Sequence, residues 1–515
     1  MLIAGQKDIQ QMDQYTINEL GMPGTVLMES AGSRVVEEIL PLLITYEEKV
    51  VVLAGSGNNG GDGFVIARRL IDAGVDVLLC LLVSPEKLKG DAKVHFDVYI
   101  NRELPIFYLD EHNLEALFQK IHHADIIIDA MLGTGVKGTV RKPMSQVIYK
   151  VNSLNKMVVS VDIPSGVNSD DGKVEGEAIK ATQTITFVFP KKGFFLQDGP
   201  KHIGEWKAVD ISVPPSIVSK LNLTLPTLIT PELAKKVLPI RPQTGHKGTF
   251  GHVLVLGGSQ SFVGAPLFTA QAALSSGAGL ATLAVPENIY PYLASQSPET
   301  LFFPLPQLDG HISAKAIDEL RPKLNQYDCI AIGPGMSRFA DGETFLVSLL
   351  NALQKQTLVI DADALFMLRS HLDILKDYEG DIILTPHPGE MANLTNRTVK
   401  DIESNRIEIA QEFAEKYQVF LLLKGHRSII ATPNGEVLIN PYGHDALGKG
   451  GSGDVLTGVV SSLIAQGAKP HGALITASYL HAVAGEEQAK VLSHYGVMPQ
   501  DLVDGIKGEL NRIIR

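Results

Sequence analysis

Short, uninterrupted apolar runs recur along the chain, each closed by Gly, Pro or Asp. In the first half they occupy residues 50–54, 77–83, 106–109, 126–130, 158–163 and 184–189. Apolar residues in unbroken series rather than alternation mark strands buried on both faces, as in a parallel sheet covered by helices. Stretches with helical spacing separate several of these runs, which gives a βαβ rhythm. Ahead of them, Ile9, Met12, Ile17 and Leu20 are spaced along one helix face, Gly-Met-Pro-Gly at 21–24 ends that helix, and a second helical stretch covers 26–40.

The texture changes between residues 213 and 231. There Val213-Pro214-Pro215 and Leu225-Pro226-Thr227 flank a polar stretch, and Thr230-Pro231-Glu232 reads as a helix start. The same rhythm then restarts, with runs at 253–256, 281–285, 329–332, 358–360, 382–384 and 420–423. The runs 428–431 and 436–440 are joined by Pro433-Asn434-Gly435, and Asn-Gly between two apolar runs predicts a β-hairpin. The expected fold class is α/β, with two three-layer αβα domains over 1–220 and 221–515. A chain of 515 residues is also too long for a single core.

Charge narrows the partners. A net charge of −12 repels nucleic-acid phosphates, so no nucleic-acid partner is expected, whereas a helix N-terminus can still hold a small anion locally. The two cysteines, Cys80 and Cys329, lie in apolar runs without CxxC spacing and read as buried reduced thiols. The N-terminus lacks a basic region leading into an apolar core, and no stretch reaches the ~18 apolar residues of a spanning helix. The expectation is a cytoplasmic homo-oligomer with no membrane partner.

Three strand ends in the first half carry more polar groups than turns require. Ala54-Gly55-Ser56-Gly57-Asn58-Asn59-Gly60-Gly61-Asp62-Gly63 leaves the first run and precedes a helical stretch at 64–73. Its glycines let backbone approach a ligand, while the paired Asn side chains and Asp62 add hydrogen-bonding groups. Ile128-Asp129-Ala130-Met131-Leu132-Gly133-Thr134-Gly135 and Val161-Asp162-Ile163-Pro164-Ser165-Gly166 end two further runs. In a parallel sheet such loops gather at the C-terminal edge, where ligands bind. Singly, Asp129 could cap a helix and Ser165 could serve a turn; together they point to a site.

In the second half, Gly448-Lys449-Gly450-Gly451-Ser452-Gly453-Asp454 precedes an apolar helical stripe at 455, 456, 459, 460, 463 and 464. Free N–H groups and the positive end of the helix dipole make that start an anion site, with Asp454 beside any phosphate held there. Leu423-Lys424-Gly425-His426-Arg427-Ser428 leaves another strand with cations suited to nucleotide phosphates. Thr385-Pro386-His387-Pro388-Gly389-Glu390 follows a third strand. His387 reads equally well as a structural histidine or as part of the pocket, and no trio of metal ligands is evident beside it in the sequence.

The first-half series Gly-Asn-Asn-Gly-Gly-Asp-Gly, Asp-Ala-x-x-Gly-Thr-Gly and Asp-Ile-Pro-Ser-Gly-Val resembles the NAD(P)H-hydrate epimerase domain over about residues 1–215. The resemblance implies interconversion of the R and S hydrates of NADH and NADPH on a Rossmann-like domain. It implies contacts to the hydrate from Asn58, Asn59, Gly60, Gly61 and Asp62, from Gly133, Thr134, Gly135, Val136, Lys137, Gly138 and Thr139, and from Asp162. It also implies a potassium ion on Asn59, Asp129 and Ser165, oxygen donors that suit a hard cation. Asp162 is the candidate acid/base. One departure is Ser30, which stands where the family would have Asn.

Gly-x-Gly-Asp opening a helix resembles the ribokinase-like superfamily. Residues 253–259, Gly264-Ala265-Pro266, Gly277-Ala278-Gly279, Gly333-Pro334-Gly335-Met336, His387-Pro388-Gly389-Glu390 and 448–467 narrow this to the ADP- or ATP-dependent NAD(P)H-hydrate dehydratases, over about 228–510. That resemblance implies nucleotide-dependent dehydration of the S-hydrate, with Ala265, Gly335, His387 and Asp454 on the hydrate. Lys424, Gly425, His426, Arg427, Ser428, Gly450, Gly451 and Gly453 would hold the nucleotide, ADP or ATP, with its Mg2+. Asp454 would accept the hydroxyl proton, as in a sugar kinase. A ribokinase-like small-molecule kinase with an accessory binding or scaffold domain is the alternative reading.

Overall fold

The first-half strand runs pair into one seven-stranded sheet in a computed structural model that describes residues 1–45 and 48–515. Its strands are β1 (Lys49–Ala54), β2 (Asp76–Leu81), β3 (Ile106–Tyr108), β4 (Ile126–Ala130), β5 (Met157–Val161), β6 (Gln183–Phe187) and β7 (Glu205–Val209). They lie in the order β3-β2-β1-β4-β5-β6-β7, every pair parallel. The unbroken apolar runs are explained by two cores. Along β1, Val50, Val52 and Ala54 face one core while Val51 and Leu53 face the other. Helices Gly24–Ile39 and Asn58–Asp72 cover the first face through Leu27, Val35, Phe64 and Ile66. Leu114–His123 and Met144–Asn152 cover the second through Leu117, Ile121, Val147 and Val151. Each such side chain withdrawn from water contributes ~1.5–3 kcal/mol.

Two strands stop short of their apolar runs because the backbone turns at Asp162 (φ 64°) and Val188 (φ 63°). β7 went unpredicted because its residues Glu205-Trp206-Lys207-Ala208-Val209 alternate, as an edge strand should.

The chain divides into two compact units, Met1–Pro226 and Thr227–Arg515. The second carries a ten-stranded sheet in the order Leu301–Leu305, Leu280–Pro286, His252–Leu256, Cys329–Ile332, Thr357–Ile360, Ile382–Leu384, Phe420–Leu423, Ile429–Ala431, Val437–Ile439, Thr227–Leu228. The hairpin is present, Ile430 opposite Leu438, with Gly435 at φ 81° in its turn. The outer strand Leu301–Leu305 went unpredicted, its run interrupted by Pro304, as did the two-residue Thr227–Leu228. Both cysteines are free and buried, and among the described residues no helix is long and apolar enough to cross a membrane.

Candidate functional sites

In the first unit, the helix after β1 begins at Asn58, six residues ahead of the predicted 64–73, so the Asn-Asn-Gly-Gly-Asp-Gly series is helix rather than loop. Its glycines serve close packing: a Cβ on Gly60 would collide with the carbonyl oxygen of Gly55. That tight turn presents Asn58 and Asn59 at the first turn and buries Asp62 one turn on.

Asn58, Asn59, Asp62, Gly133, Thr134, Gly135, Val136 and Asp162 line a single cavity of about 550 Å³. Gly60 and Gly61 do not line it; they pack instead against the Gly55 backbone and the Met28 side chain. Lys137, Gly138 and Thr139 line a neighbouring cavity instead.

Two residues in the Asp162 cavity were missed. Lys191, fully buried, places its Nζ 2.6 Å from Asp162 Oδ1 and also donates to Thr186 Oγ1 at 2.9 Å and to the carbonyls of Phe187 and Phe189, both at 3.2 Å. Asp162 Oδ1 further accepts the Phe187 N–H at 3.0 Å. Its carboxylate is therefore thoroughly compensated. Asp13, from helix Gln6–Asn18, is not: burial, then the charge of Asp162, push its carboxyl up to about 6, against the pull of Lys191. Burial, then Asp162 and Asp13, likewise raise Asp62 well above the ordinary carboxylate range. Lys191 follows no motif, and Asp13 sits in a helix whose apolar face alone was read; only the fold brings them to the cavity.

Asp129 is fully buried on β4. Its Oδ1 accepts Ser165 Oγ at 2.5 Å, and its Oδ2 accepts the Ser165 N–H at 2.8 Å and Ser160 Oγ at 2.9 Å. Burial still raises its carboxyl, against those hydrogen bonds. Asn59 Nδ2 donates to the Leu132 carbonyl at 3.0 Å, which Ser165 Oγ also meets at 3.2 Å, while Asn59 Oδ1 is buried with no partner among the described residues. Asn59 and Ser165 thus meet at one carbonyl, Asp129 is tied to them through Ser165, and an orphaned acceptor lies among them.

In the second unit, the helix Ser452–Ala465 follows Gly451, whose φ of 98° suits glycine and turns the chain into the helix. Asp454 lies in its first turn. Lys424, at the end of Phe420–Leu423, places its Nζ 2.7 Å from Asp361 Oδ1 and 3.9 Å from Glu390 Oε2, and Thr457 Oγ1 donates to Asp361 Oδ2 at 2.6 Å. Burial opposes the charge on Lys424, but Asp361 and Glu390 outweigh it and hold the ammonium above its usual range. Burial, then the Asp361 charge, push Asp454 up to about 7, with Lys424 opposing. Burial raises Glu390 to about 7 as well, again against Lys424. Asp361 and Asp363 were missed, although they directly follow the predicted run 358–360 and so sit on the same sheet edge as the other loops.

The 424–428 loop is braced from beneath by Arg406, whose Nη2 donates to the carbonyls of Leu423, Lys424 and Arg427 at 3.1, 3.1 and 3.2 Å. Gly425 rests on that guanidinium, His426 is exposed, Arg427 Nη1 donates to the Gly443 carbonyl at 3.3 Å, and Ser428 is half-buried. A Cβ on Gly453 would lie 3.4 Å from Lys424 Nζ, so this loop and the helix start meet, whereas Gly450 has open space around it. A Cβ on Gly335 would lie 3.1 Å from that of Ala265, which makes those two neighbours. His387 caps the helix Pro388–Thr395: its Nδ1 accepts the N–H groups of Gly389 and Glu390 at 3.0 and 3.2 Å, while Glu390 Oε2 accepts the His387 N–H at 2.7 Å. With Asp363 and Glu390 it lines a cavity of about 240 Å³.

A family model described as NAD(P)H-hydrate dehydratase matches residues 253–507, and one described as YjeF-related protein N-terminus matches 24–193. The bifunctional NAD(P)H-hydrate repair enzyme Nnr of Moorella thermoacetica is 38% identical over 509 residues, covering 98% of this chain and 96% of that one. Its namesake from Dictyoglomus turgidum is 31% identical over 520 residues, covering 100% and 99%. Among solved structures, an ADP/ATP-dependent NAD(P)H-hydrate dehydratase from Bacillus subtilis, co-crystallised with ATP/Mg2+, is 32% identical with a TM-score of 0.50, covering 56% of this chain and 99% of that one.

Proposed function

Because the chain belongs to the bifunctional NAD(P)H-hydrate repair enzymes, we propose that its first unit epimerises the R and S hydrates of NADH and NADPH and its second dehydrates the S-hydrate at the expense of ADP or ATP. Full-length relatives named for the repair activity remove the ground for the small-molecule kinase reading.

The observation that carries the dehydratase chemistry is Asp454: a carboxyl held at about 7, in the first turn of a glycine-led helix, beside Lys424. A carboxylate of that pKa accepts a proton readily near neutrality. Hydroxide leaves poorly from the hydrated ring. Asp454 takes the hydroxyl proton as the oxygen attacks the terminal phosphorus of the nucleotide, and the first-turn N–H groups steady the transferred phosphoryl group. Phosphate then leaves that ester, pushed by the ring nitrogen's electron pair, and the adjacent ring carbon gives up a proton to water or to the departing phosphate, which restores the dihydronicotinamide. Lys424 and the 425–428 loop hold the nucleotide, and Ala265, Gly335 and His387 shape the hydrate's side. Glu390, whose carboxyl is raised despite Lys424, suits a divalent cation; Mg2+ arriving with the nucleotide would neutralise phosphate charge there and leave Asp454 free to take the proton.

In the first unit, the hydrate lies in the Asp162 cavity, against Asn58, Asp62, 133–136 and Asp162. The orphaned Asn59 Oδ1 and the buried Asp129 carboxyl fit a potassium ion, which would complete both and fix the 132–135 segment over the cavity. The deciding assay follows dihydronicotinamide absorbance with racemic hydrate and nucleotide. Complete conversion supports both activities. Conversion of half indicates dehydratase alone, and no recovery overturns the reading.

A further inference from the structure

The first unit has a second cavity on the opposite flank of β1 from Asp162. It measures about 890 Å³, is walled by the loops after β2 and β3 and by 136–144, and shares Leu132 and Val136 with the Asp162 cavity. Four cations line it, Lys87, Lys137, Arg141 and Lys142, and none of their side chains has an ion-pair or hydrogen-bond partner among the described residues. Two carboxylates oppose them. Asp110 is committed to its own turn, its Oδ1 accepting the His112 N–H and its Oδ2 accepting Asn113 Nδ2, both at 2.7 Å, which leaves Glu111.

In a doubly wound sheet a dinucleotide lies across the switch point with one nucleoside on each flank. A carboxylate near the end of the second strand then selects a free ribose 2′-hydroxyl, and a cation there takes a 2′-phosphate. Here the switch point is β1, flanked by β2 and β4. Past β2, the residues facing the cavity are Leu82, Val83, Ser84 and Lys87: a hydroxyl and an ammonium, without a carboxylate.

We infer that this cavity is the adenosine subsite of the epimerase unit, and that Lys87 with Arg141 reads the ribose 2′-phosphate, so that this unit prefers hydrated NADPH to hydrated NADH. The inference rests on the epimerase reading. The hydrated ring would occupy the Asp162 cavity, and the shared segment 132–136 would carry the pyrophosphate between the two.

The test uses the full chain without adenine nucleotide, so that dehydration does not run, and follows conversion of pure R-hydrates to S by chromatography. Wild type should show a lower KM for hydrated NADPH than for hydrated NADH. Lys87→Ala and Arg141→Ala should each raise the ratio of the two KM values about tenfold, the size of one charge-assisted contact, and Lys87→Glu should raise it further. Equal wild-type KM values, or a ratio that none of the variants moves, would overturn the subsite while the epimerase stood. A wild type that converts neither hydrate would remove the epimerase reading and the subsite with it.

Discussion

The two units solve one electrostatic problem with the same parts but assign the leading role differently. Each sheet edge has a close lysine–carboxylate pair, Lys191 with Asp162 in the first unit and Lys424 with Asp361 in the second, at 2.6 and 2.7 Å. Each also has carboxyls that burial and like charge raise in spite of the lysine: Asp13 and Asp62 in one, Asp454 and Glu390 in the other. Sequence motifs single out Asp162 and Asp454 as equivalent candidates. The structure separates them, because Asp162 is the paired carboxylate and Asp454 the unpaired one. A carboxylate held by an ammonium and a backbone N–H is fixed in position, well suited to orienting a ligand. An unpaired carboxylate near neutrality exchanges protons.

That contrast can be broken most forcefully at Asp454. Asp454→Asn should lower the nucleotide-dependent dehydration rate by ~10²–10⁴, the usual worth of a positioned base, while nucleotide binding by calorimetry persists. Next comes the opposite effect at Asp162. Asp162→Asn strips a fully buried ammonium of its counter-charge and should destabilise the first unit by ~3–5 kcal/mol in urea unfolding, whereas Asp454→Asn relieves repulsion and should not destabilise the second. Equal losses in both variants would erase the distinction. A smaller effect concerns potassium. Saturating K+ should stabilise the first unit by ~2–4 kcal/mol over a bulky organic cation, and Asn59→Ala should abolish the difference.

A further effect is on stability against pH. Asp454 titrates at about 7 in the folded chain against an ordinary 3.8, so folding favours its protonated form. Its contribution is whole below about pH 4 and is lost as pH rises through about 7. Asp454→Asn should therefore flatten the second unit's stability between those limits, seen as a smaller drop in urea midpoint.

Much of this was legible in the sequence because buried parallel strands leave unbroken apolar runs and strand-end loops announce themselves with glycine. The hairpin at Asn434-Gly435 and the convergence of Asp62, Gly133 and Asp162 follow from those signals. What escaped has physical causes. The helix at Asn58 was read as loop because glycines there serve close packing, which looks like flexibility in one dimension. Lys191 lies in an irregular segment and meets Asp162 only because both leave neighbouring strands, β5 and β6, at the same edge. Asp361 and Asp363 carry no signal because two carboxylates after a short run match no motif, although Asp361 anchors Lys424.

The role of Asp454 is tested most directly by the pH dependence of kcat/KM for the S-hydrate at saturating nucleotide. A proton acceptor that titrates at about 7 makes that value rise about tenfold for each pH unit below 7 and level off above it, with the limb absent in Asp454→Asn. A profile flat between about pH 5 and pH 8, or a limb that survives the substitution, contradicts Asp454 as the group that takes the hydroxyl proton.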